Sequence, residues 1–228
     1  MSDVPTAFVD TMVIKFATET PVFIPRQQTV NFGGKEIEFT VHDFGTRREI
    51  DTLPPGELRS EVEHLKPISE LAKSGHLRLI TQAEVLHESW TLPWVRGAHL
   101  YGTTIELAEA PFYYARILGK ILPSPNGRGS ADAKESMVEF LKRVDHRRFK
   151  QLQVACGAHQ GKTINDNQLI DAFHVWCAES AGAEYFLTCD FKLIRSVANH
   201  RRWPPKVALV RPSELLERFG SRKTKTGA

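Results

Sequence analysis

Short apolar runs that alternate with helical patterns constrain the fold of this chain more than any other feature. Four of these runs are typical of strands: "TAFV" (6–9), "LRLI" (77–80), "EYFLT" (184–188) and "KVALV" (206–210). Apolar residues at helical spacing follow them, as in "DFKLIRSVANH" after the third run. Strands separated by helices favour a parallel sheet that is covered by helices. The sequence therefore predicts an α/β fold with a central, mostly parallel sheet.

One long segment after the first strand predicts an insertion into a single domain of residues 1–220. This insertion lies near 21–74, and its residues 29–44 alternate apolar and polar side chains around Gly33-Gly34. Such alternation around two glycines indicates a β-hairpin. The following residues show helical spacing that Pro67 breaks, because proline cannot donate a backbone hydrogen bond inside a helix.

A second segment, near 90–130, also predicts an insertion, since it is rich in aromatic residues and proline. Within it, residues 104–122 indicate a helix and a Pro- and Gly-rich loop follows. Residues 221–228 are basic and polar, and we expect them to form a disordered tail.

Composition excludes several classes of protein. The chain has 228 residues, of which 41% are hydrophobic and 25% charged, as in ordinary globular proteins. Its three cysteines have no C-x-x-C spacing, which argues against a disulfide framework and a structural zinc site. No apolar stretch reaches the roughly 18 residues of a membrane helix, and the N-terminus lacks the pattern of a secretory signal. We therefore expect a cytoplasmic protein without a membrane partner.

The net charge of +3 is small, but the basic residues are clustered. Such clusters either bind a polyanion or form ordinary solvated surface. The candidates for contact with nucleic acid are Lys15, Arg147, Arg148, Lys192, Arg201 and Arg202.

Four acidic residues lie at or near the junctions between strands and helices. Asp10 ends the first strand, and Asp190 follows "EYFLT". Glu84 lies in the first turn after "LRLI", and Asp171 lies in the helix that precedes "EYFLT". Because the carboxyl ends of parallel strands form the ligand-binding edge of such sheets, we expect these acids to converge.

Converging carboxylates repel one another unless a cation lies between them, and hard ions such as Mg²⁺ or Mn²⁺ prefer oxygen ligands. Asp10 and Asp190 can alternatively be helix N-caps. Glu88 competes with Glu84 one helical turn later, and Asp166 competes with Asp171. Glu88, Asp166 and the hydroxyl of Thr188 are further candidates that would support the ligands.

The motifs "FVDTMVIKF", "TQAEVLHE", "DAFHVWCAESAGAEYFLTCDFKL" and "VALVRPSELL" together resemble a PIN domain, the fold of many metal-dependent ribonucleases, including VapC-type toxins. The resemblance implies a PIN-like three-layer α/β/α fold, with Asp10, Glu84, Asp171 and Asp190 as catalytic ligands of Mg²⁺ or Mn²⁺. It also implies an RNA substrate cleaved as by an endoribonuclease, a homodimer, and an antitoxin or other protein partner. One departure is Met12, where the family often has asparagine.

Other functions use some of the same features. A PIN-like scaffold that binds RNA or assembles with proteins would retain the fold without catalysis. A haloacid-dehalogenase-type phosphatase needs a second aspartate at the position of Met12, and a response-regulator receiver is usually much shorter. The sequence therefore favours a metal-dependent nuclease, with the scaffold as the alternative.

Overall fold

A computed structural model describes residues 4–83, 85, 99–109, 111, 137–160 and 163–225. At its centre is a sheet of five strands, all parallel to their neighbours. The strands, in the order in which they lie side by side, are β11 (Ala208–Val210), β10 (Tyr185–Leu187), β1 (Thr6–Val9), β4 (Arg78–Thr81) and β7 (Glu106–Leu107). Helices flank this sheet, an arrangement consistent with three α/β/α layers. The predicted α/β class is therefore confirmed.

The order of the strands reverses beside β1. From β1 the chain passes to β4 and β7 on one side, and it then returns to β10 and β11 on the other side. Ala7 pairs with both Leu79 of β4 and Tyr185 of β10, so β1 is central. Ligands of open parallel sheets bind at the carboxyl ends of the strands where such a reversal occurs. This rule directs attention to the residues that follow β1 and β10.

The helical segment expected to break at Pro67 breaks three residues earlier. A break at His64 separates the second and third helices, and Pro67 lies in the first turn of the third, where its missing N–H costs little. The described helices are α1 (Thr11–Phe16), α2 (Glu57–Glu63), α3 (Leu65–Lys73), α4 (Arg147–Ala155), α5 (Asp166–Ser180), α6 (Phe191–Asn199) and α7 (Pro212–Lys225). Residues 137–143 are also helical.

The core combines the sheet with helices from both halves of the chain. Phe8 and Phe186 are fully buried and stack on neighbouring strands, with ring centroids 5.6 Å apart. The C-terminal helix α7 packs against α2 and α3, whereas α4 packs against α5. Glu61 of α2 is buried and accepts hydrogen bonds from the backbone N–H and hydroxyl of Ser213 at the start of α7. The first insertion therefore contributes part of the core.

A long hairpin leaves this core. Strands β2 (Glu19–Phe32) and β3 (Lys35–Arg48) pair along their whole length, and a short 3₁₀ helix (Glu49–Thr52) follows them. Gly33 and Gly34 have φ angles of 62° and 81°, which a tight two-residue hairpin turn requires. The hairpin was predicted only for residues 29–44. The prediction was too short because prolines and charged residues nearer the base of the hairpin hide the alternating pattern.

Two further expectations need correction. The helix expected over residues 104–122 is wrong at its start, because Glu106 and Leu107 form β7; residues 112–122 lie outside the described part of the chain. The tail expected to be disordered over residues 221–228 is helical as far as Lys225, where α7 ends, and Ser221 donates a hydrogen bond to the Glu217 carbonyl within this helix; residues 226–228 lie outside the described part of the chain. Among the described residues, three two-stranded sheets lie outside the central sheet. They are formed by β2 with β3, by β5 (His99–Leu100) with β6 (Thr103–Thr104), and by β8 (His159–Gln160) with β9 (Thr163–Ile164). None of the described helices is long and apolar enough to cross a membrane.

Candidate functional site

Asp10 lies at the carboxyl end of the central strand β1, as predicted. Its backbone N–H donates to the Leu187 carbonyl of β10, and its Oδ1 accepts a hydrogen bond from the Thr11 N–H over 2.8 Å. Asp10 therefore caps α1, which is the role that aspartate commonly has at this position. The residue is only 7% exposed. A carboxylate so deeply buried needs compensating contacts, because desolvation disfavours its charge.

Thr188 joins Asp10 to the loop that follows β10. Its hydroxyl donates to Asp10 Oδ2 over 2.7 Å and accepts from the Asp190 N–H over 2.9 Å. The Thr188 side chain is fully buried, and its own N–H bonds to the Val210 carbonyl of β11. One threonine thus connects the ends of the two strands between which the sheet order reverses. Thr188 was predicted only as a hydroxyl that would support the metal ligands, and that role remains a prediction.

Asp190 caps α6 with a single oxygen. Its Oδ1 accepts from the N–H groups of Lys192 and Leu193, over 2.8 and 2.9 Å. Among the described residues, none donates a hydrogen bond to its Oδ2. The half-buried carboxylate therefore retains one oxygen that can accept a further ligand.

His174 is a neighbour of Asp10 that the sequence analysis left out. Its Nδ1 lies 3.9 Å from Asp10 Oδ1, and the side chain is almost fully buried in α5. Its Nε2 has no hydrogen-bond partner among the described residues. The sequence spacing could have indicated His174 as a site residue. It lies three positions after Asp171 and therefore on the same side of the helix.

Asp171 and Asp166 differ in their surroundings, although both lie on α5. Asp171 is half-buried between apolar neighbours, and its charge adds to burial in raising the pKa of the Cys156 thiol. Asp166 is at the start of the helix, where it forms an ion pair with Lys142 over 2.9 Å. The cap of α5 is Asn165, whose side chain accepts from the Gln168 N–H. Five positions on a helix separate two side chains by about 140°, so Asp166 and Asp171 point to different sides.

Glu84 and Glu88 lie outside the described residues, so their predicted roles remain predictions. Within the described ranges there is no group of three or more His, Cys, Asp or Glu side chains placed to hold a metal ion. The two acids nearest the strand reversal, Asp10 and Asp190, are connected through Thr188. Asp10, Asp171 and Asp190 are all described, so these three acids do not by themselves form such a group, and the expected cluster stays a prediction that needs Glu84 as well.

Burial also changes the pKa of the Cys189 thiol, which lies between Thr188 and Asp190. Cys189 is buried, and burial together with the charges of Asp10 and Glu61 raises its pKa to about 12. It is therefore a protonated thiol at neutral pH, whereas a thiol acts as a nucleophile or metal ligand in its ionised form. Cys189 thus has the properties of a core residue.

The candidate basic residues fall into two groups. Arg148 is half-buried and forms a two-pronged ion pair with Glu179, over 2.8 and 2.6 Å. The other described candidates leave their charges at the surface; Arg202, for example, lies 4.5 Å over the Trp203 ring. Those exposed or half-exposed residues are Lys15, Arg147, Lys192, Arg201 and Arg202. Of the six candidate residues, these five can contact a large anion without breaking the ion pair to Glu179.

Met12, at the position where the PIN pattern often has asparagine, packs against the hydrophobic core. It supplies no amide to orient Asp10, and in this chain the Thr188 hydroxyl is one donor that does so.

No protein-family model, curated protein or solved structure matches the chain. The resemblance to a PIN domain therefore remains a prediction from the motifs.

Proposed function

We propose that this protein is a metal-dependent phosphodiesterase with a PIN-like fold, acting as an endoribonuclease. The observation that carries the proposal is the hydrogen-bonded connection from Asp10 through Thr188 to Asp190. It lies where the order of the parallel strands reverses, which is the usual ligand-binding position of such sheets. Helix capping uses one carboxylate oxygen of Asp10 and one of Asp190. Capping does not, however, require that a buried hydroxyl join the two acids.

The donor set suits a hard divalent ion. Asp10 and Asp190 offer carboxylate oxygens, which Mg²⁺ and Mn²⁺ prefer, and Asp171 and Glu84 are the further candidates. Thr188 would hold Asp10 in one orientation, as partners of metal ligands commonly do. When bound, such an ion stabilises negative charge on the phosphodiester and activates water for attack. No serine or histidine nucleophile is then needed.

The substrate is proposed to be RNA, held by its backbone at the exposed basic residues. Contacts between lysine or arginine and phosphates release counterions, so binding should weaken steeply as salt increases. Arg147, Arg201 and Arg202 are suited to this role because their side chains lie at the surface. A toxin that an antitoxin neutralises is a narrower form of the same proposal.

The test is cleavage of a labelled single-stranded RNA with Mg²⁺ or Mn²⁺, with EDTA as the metal-free control. We expect Asp10→Asn and Asp190→Asn each to reduce the rate by at least about tenfold. Asp145→Asn is the matched control, because Asp145 is an exposed acid just before α4 that pairs with Lys150. Cleavage that persists in EDTA or in both site variants would contradict the proposal.

An assembly scaffold is the second candidate function, and the exposed apolar residues of the β2–β3 hairpin favour it. Calorimetry with Mn²⁺ distinguishes the two functions. The nuclease predicts metal binding that Asp10→Asn weakens, whereas the scaffold predicts no binding that depends on the acids. A single-stranded DNA of the same sequence would further establish whether the enzyme prefers RNA.

A further inference from the structure

The β2–β3 hairpin exposes apolar side chains on one face. In its register Val30 pairs with Ile37 and Gln28 with Phe39, and paired residues in a sheet point to the same side. Phe32 at the turn and Ile24 nearer the base share this side by the twofold alternation of strands. We call this surface the apolar face, and its members are between 40% and 76% exposed: Ile24, Val30, Phe32, Ile37 and Phe39.

The opposite face of the hairpin is mostly polar. It carries residues such as Gln27, Thr29, Glu38 and Thr40, with one exposed aromatic pair formed by Phe23 and Phe44. Among the described residues, the hairpin strands pair only with each other. An isolated two-stranded hairpin is marginally stable in water, and one with an uncovered apolar face is less favourable still. This segment is therefore built to be covered.

Charge argues against nucleic acid as the covering partner. Residues 19–48 contain four basic residues (Arg26, Lys35, Arg47, Arg48) and four acidic ones (Glu19, Glu36, Glu38, Asp43). Arg26 and Asp43 form an ion pair over 3.0 Å; by the register they lie on the same side of the hairpin as the apolar face, where they neutralise each other. A segment with no net charge has little attraction for a polyanion or an anionic membrane surface. An apolar protein surface fits it better.

The edge of the hairpin also restricts how a partner can bind. The pair Phe32–Lys35 closes a two-residue turn, so even-numbered residues of β2 bond to β3 and odd-numbered ones point their backbone groups outward. Pro21 and Pro25 are odd-numbered and lack the N–H groups that an added strand would need. The outer edge of β2 is therefore protected near its base, which disfavours the addition of a strand there.

We propose that the apolar face binds the same face of a second copy of this chain, so that two hairpins pack as a two-layered sheet. The five side chains present on the order of 500 Å² of apolar surface per copy. Two copies would together bury about 1,000 Å², which is the lower limit for a specific interface and typical of a weak dimer. Identical faces can meet around a twofold axis, as in most homodimers, with the sheets about 10 Å apart.

The experiment is light scattering of the purified full chain between about 1 and 100 µM, a range that detects ordinary dimer affinities. We expect a dimer whose dissociation constant rises at least about tenfold in Phe32→Lys, because a buried ring is replaced by a charge. The matched control is Phe44→Lys, which changes an equally exposed ring, 72% against 76%, on the opposite face. This variant should dimerise like the unmodified chain.

A second measurement covers the case in which Phe32→Lys perturbs folding. Because all three native cysteines are buried, a maleimide reports on one introduced thiol. At dimer-forming concentrations the thiol of Gln28→Cys, on the apolar face, should react at least about tenfold more slowly than that of Gln27→Cys on the opposite face. Upon dilution the two rates should converge.

Three outcomes would overturn the proposal. They are a monomer at every concentration, a dimer that Phe32→Lys and Phe44→Lys affect equally, and equal labelling of the two introduced thiols in the dimer. The proposal would also be wrong if Phe32→Lys abolished binding of RNA or of a different protein but left the measured mass unchanged. That molecule, and not a second copy of the chain, would then be the partner of the apolar face. None of these results depends on whether the protein cleaves RNA.

Discussion

Thr188 Oγ1 donates a hydrogen bond to Asp10 Oδ2 over 2.7 Å, although 178 positions of sequence separate the two residues. The bond joins the ends of β1 and β10, which are neighbours in the sheet. Both groups are buried, so water does not readily replace either partner. The contact therefore affects the stability of the fold and the orientation of the candidate ligand at the same time.

Replacing this hydroxyl should leave the buried Asp10 carboxylate short of one donor. We expect Thr188→Val, which preserves the shape of the side chain, to lower the free energy of unfolding by about 1–3 kcal/mol. Thr188→Ser keeps the hydroxyl and should cost less than about 1 kcal/mol. Urea unfolding monitored by circular dichroism measures both values.

Thr40→Val is the control for the loss of a threonine hydroxyl. Thr40 Oγ1 lies 3.3 Å from Gln27 Oε1 on the exposed hairpin, where water can replace the bond. We expect a change within about 0.5 kcal/mol. If Thr188→Val were as mild as Thr40→Val, the hydroxyl would not be compensating a buried charge.

We expect the buried Cys156 thiol to lower the free energy of unfolding in alkaline solution. Burial, with the charges of Asp171 and Glu179, raises the pKa of this thiol above its ordinary value of 9.0. Below pH 9 the thiol is protonated in both states and has no effect. Above pH 9 the unfolded chain loses the proton and the native protein keeps it, so the free energy of unfolding falls by up to about 1.4 kcal/mol per pH unit.

The variant Cys156→Ala removes this dependence and leaves the other titrating groups unchanged. Between about pH 8.5 and 10.5 its free energy of unfolding should fall by about 2 kcal/mol less than that of the unmodified chain. Urea unfolding at several pH values measures the difference. Parallel curves for the two proteins would show that the thiol ionises equally easily in both states.

The parts of the fold that could be predicted are those with a strong local signal. The strands β1, β4, β10 and β11 are short apolar runs that precede helices, and the structure contains all four. The edge strand β7 was missed, because its two residues, Glu106 and Leu107, are too few to show a period of two. It forms through pairing with Ile80 and Thr81 of β4, and tertiary contact rather than local pattern thus determines it.

The candidate site shows the same division. Asp10 and Asp190 could be predicted because aspartate at the end of an apolar run is a local signal for a cap or a ligand. His174 was left out, because a histidine among apolar helix residues is usually a packed residue. Its position 3.9 Å from Asp10 depends on how α5 lies against the sheet. That packing arises from many apolar contacts, and no single motif encodes it.

Arg148 forms a partly buried ion pair, whereas the charge of its neighbour Arg147 lies at the surface. Glu179 is only 5% exposed, and it accepts hydrogen bonds from the Arg148 guanidinium and from the Lys206 N–H. Removing Arg148 leaves the Glu179 carboxylate without its charged partner. We expect Arg148→Ala to lower the free energy of unfolding by about 1–3 kcal/mol. The exposed Arg147→Ala should change it by less than about 0.5 kcal/mol.

Neutralising the remaining charge tests whether the cost arises from the unpaired Glu179. In an Arg148→Ala background, Glu179→Gln should recover part of the lost stability, because a neutral amide is less costly to bury than a carboxylate. In the unmodified chain the same change should be destabilising, since the Arg148 guanidinium then loses its charged partner. Urea unfolding of the four proteins gives the coupling energy. A coupling near zero would mean that the two side chains act independently, and Arg148 would then be as available to RNA phosphates as Arg147.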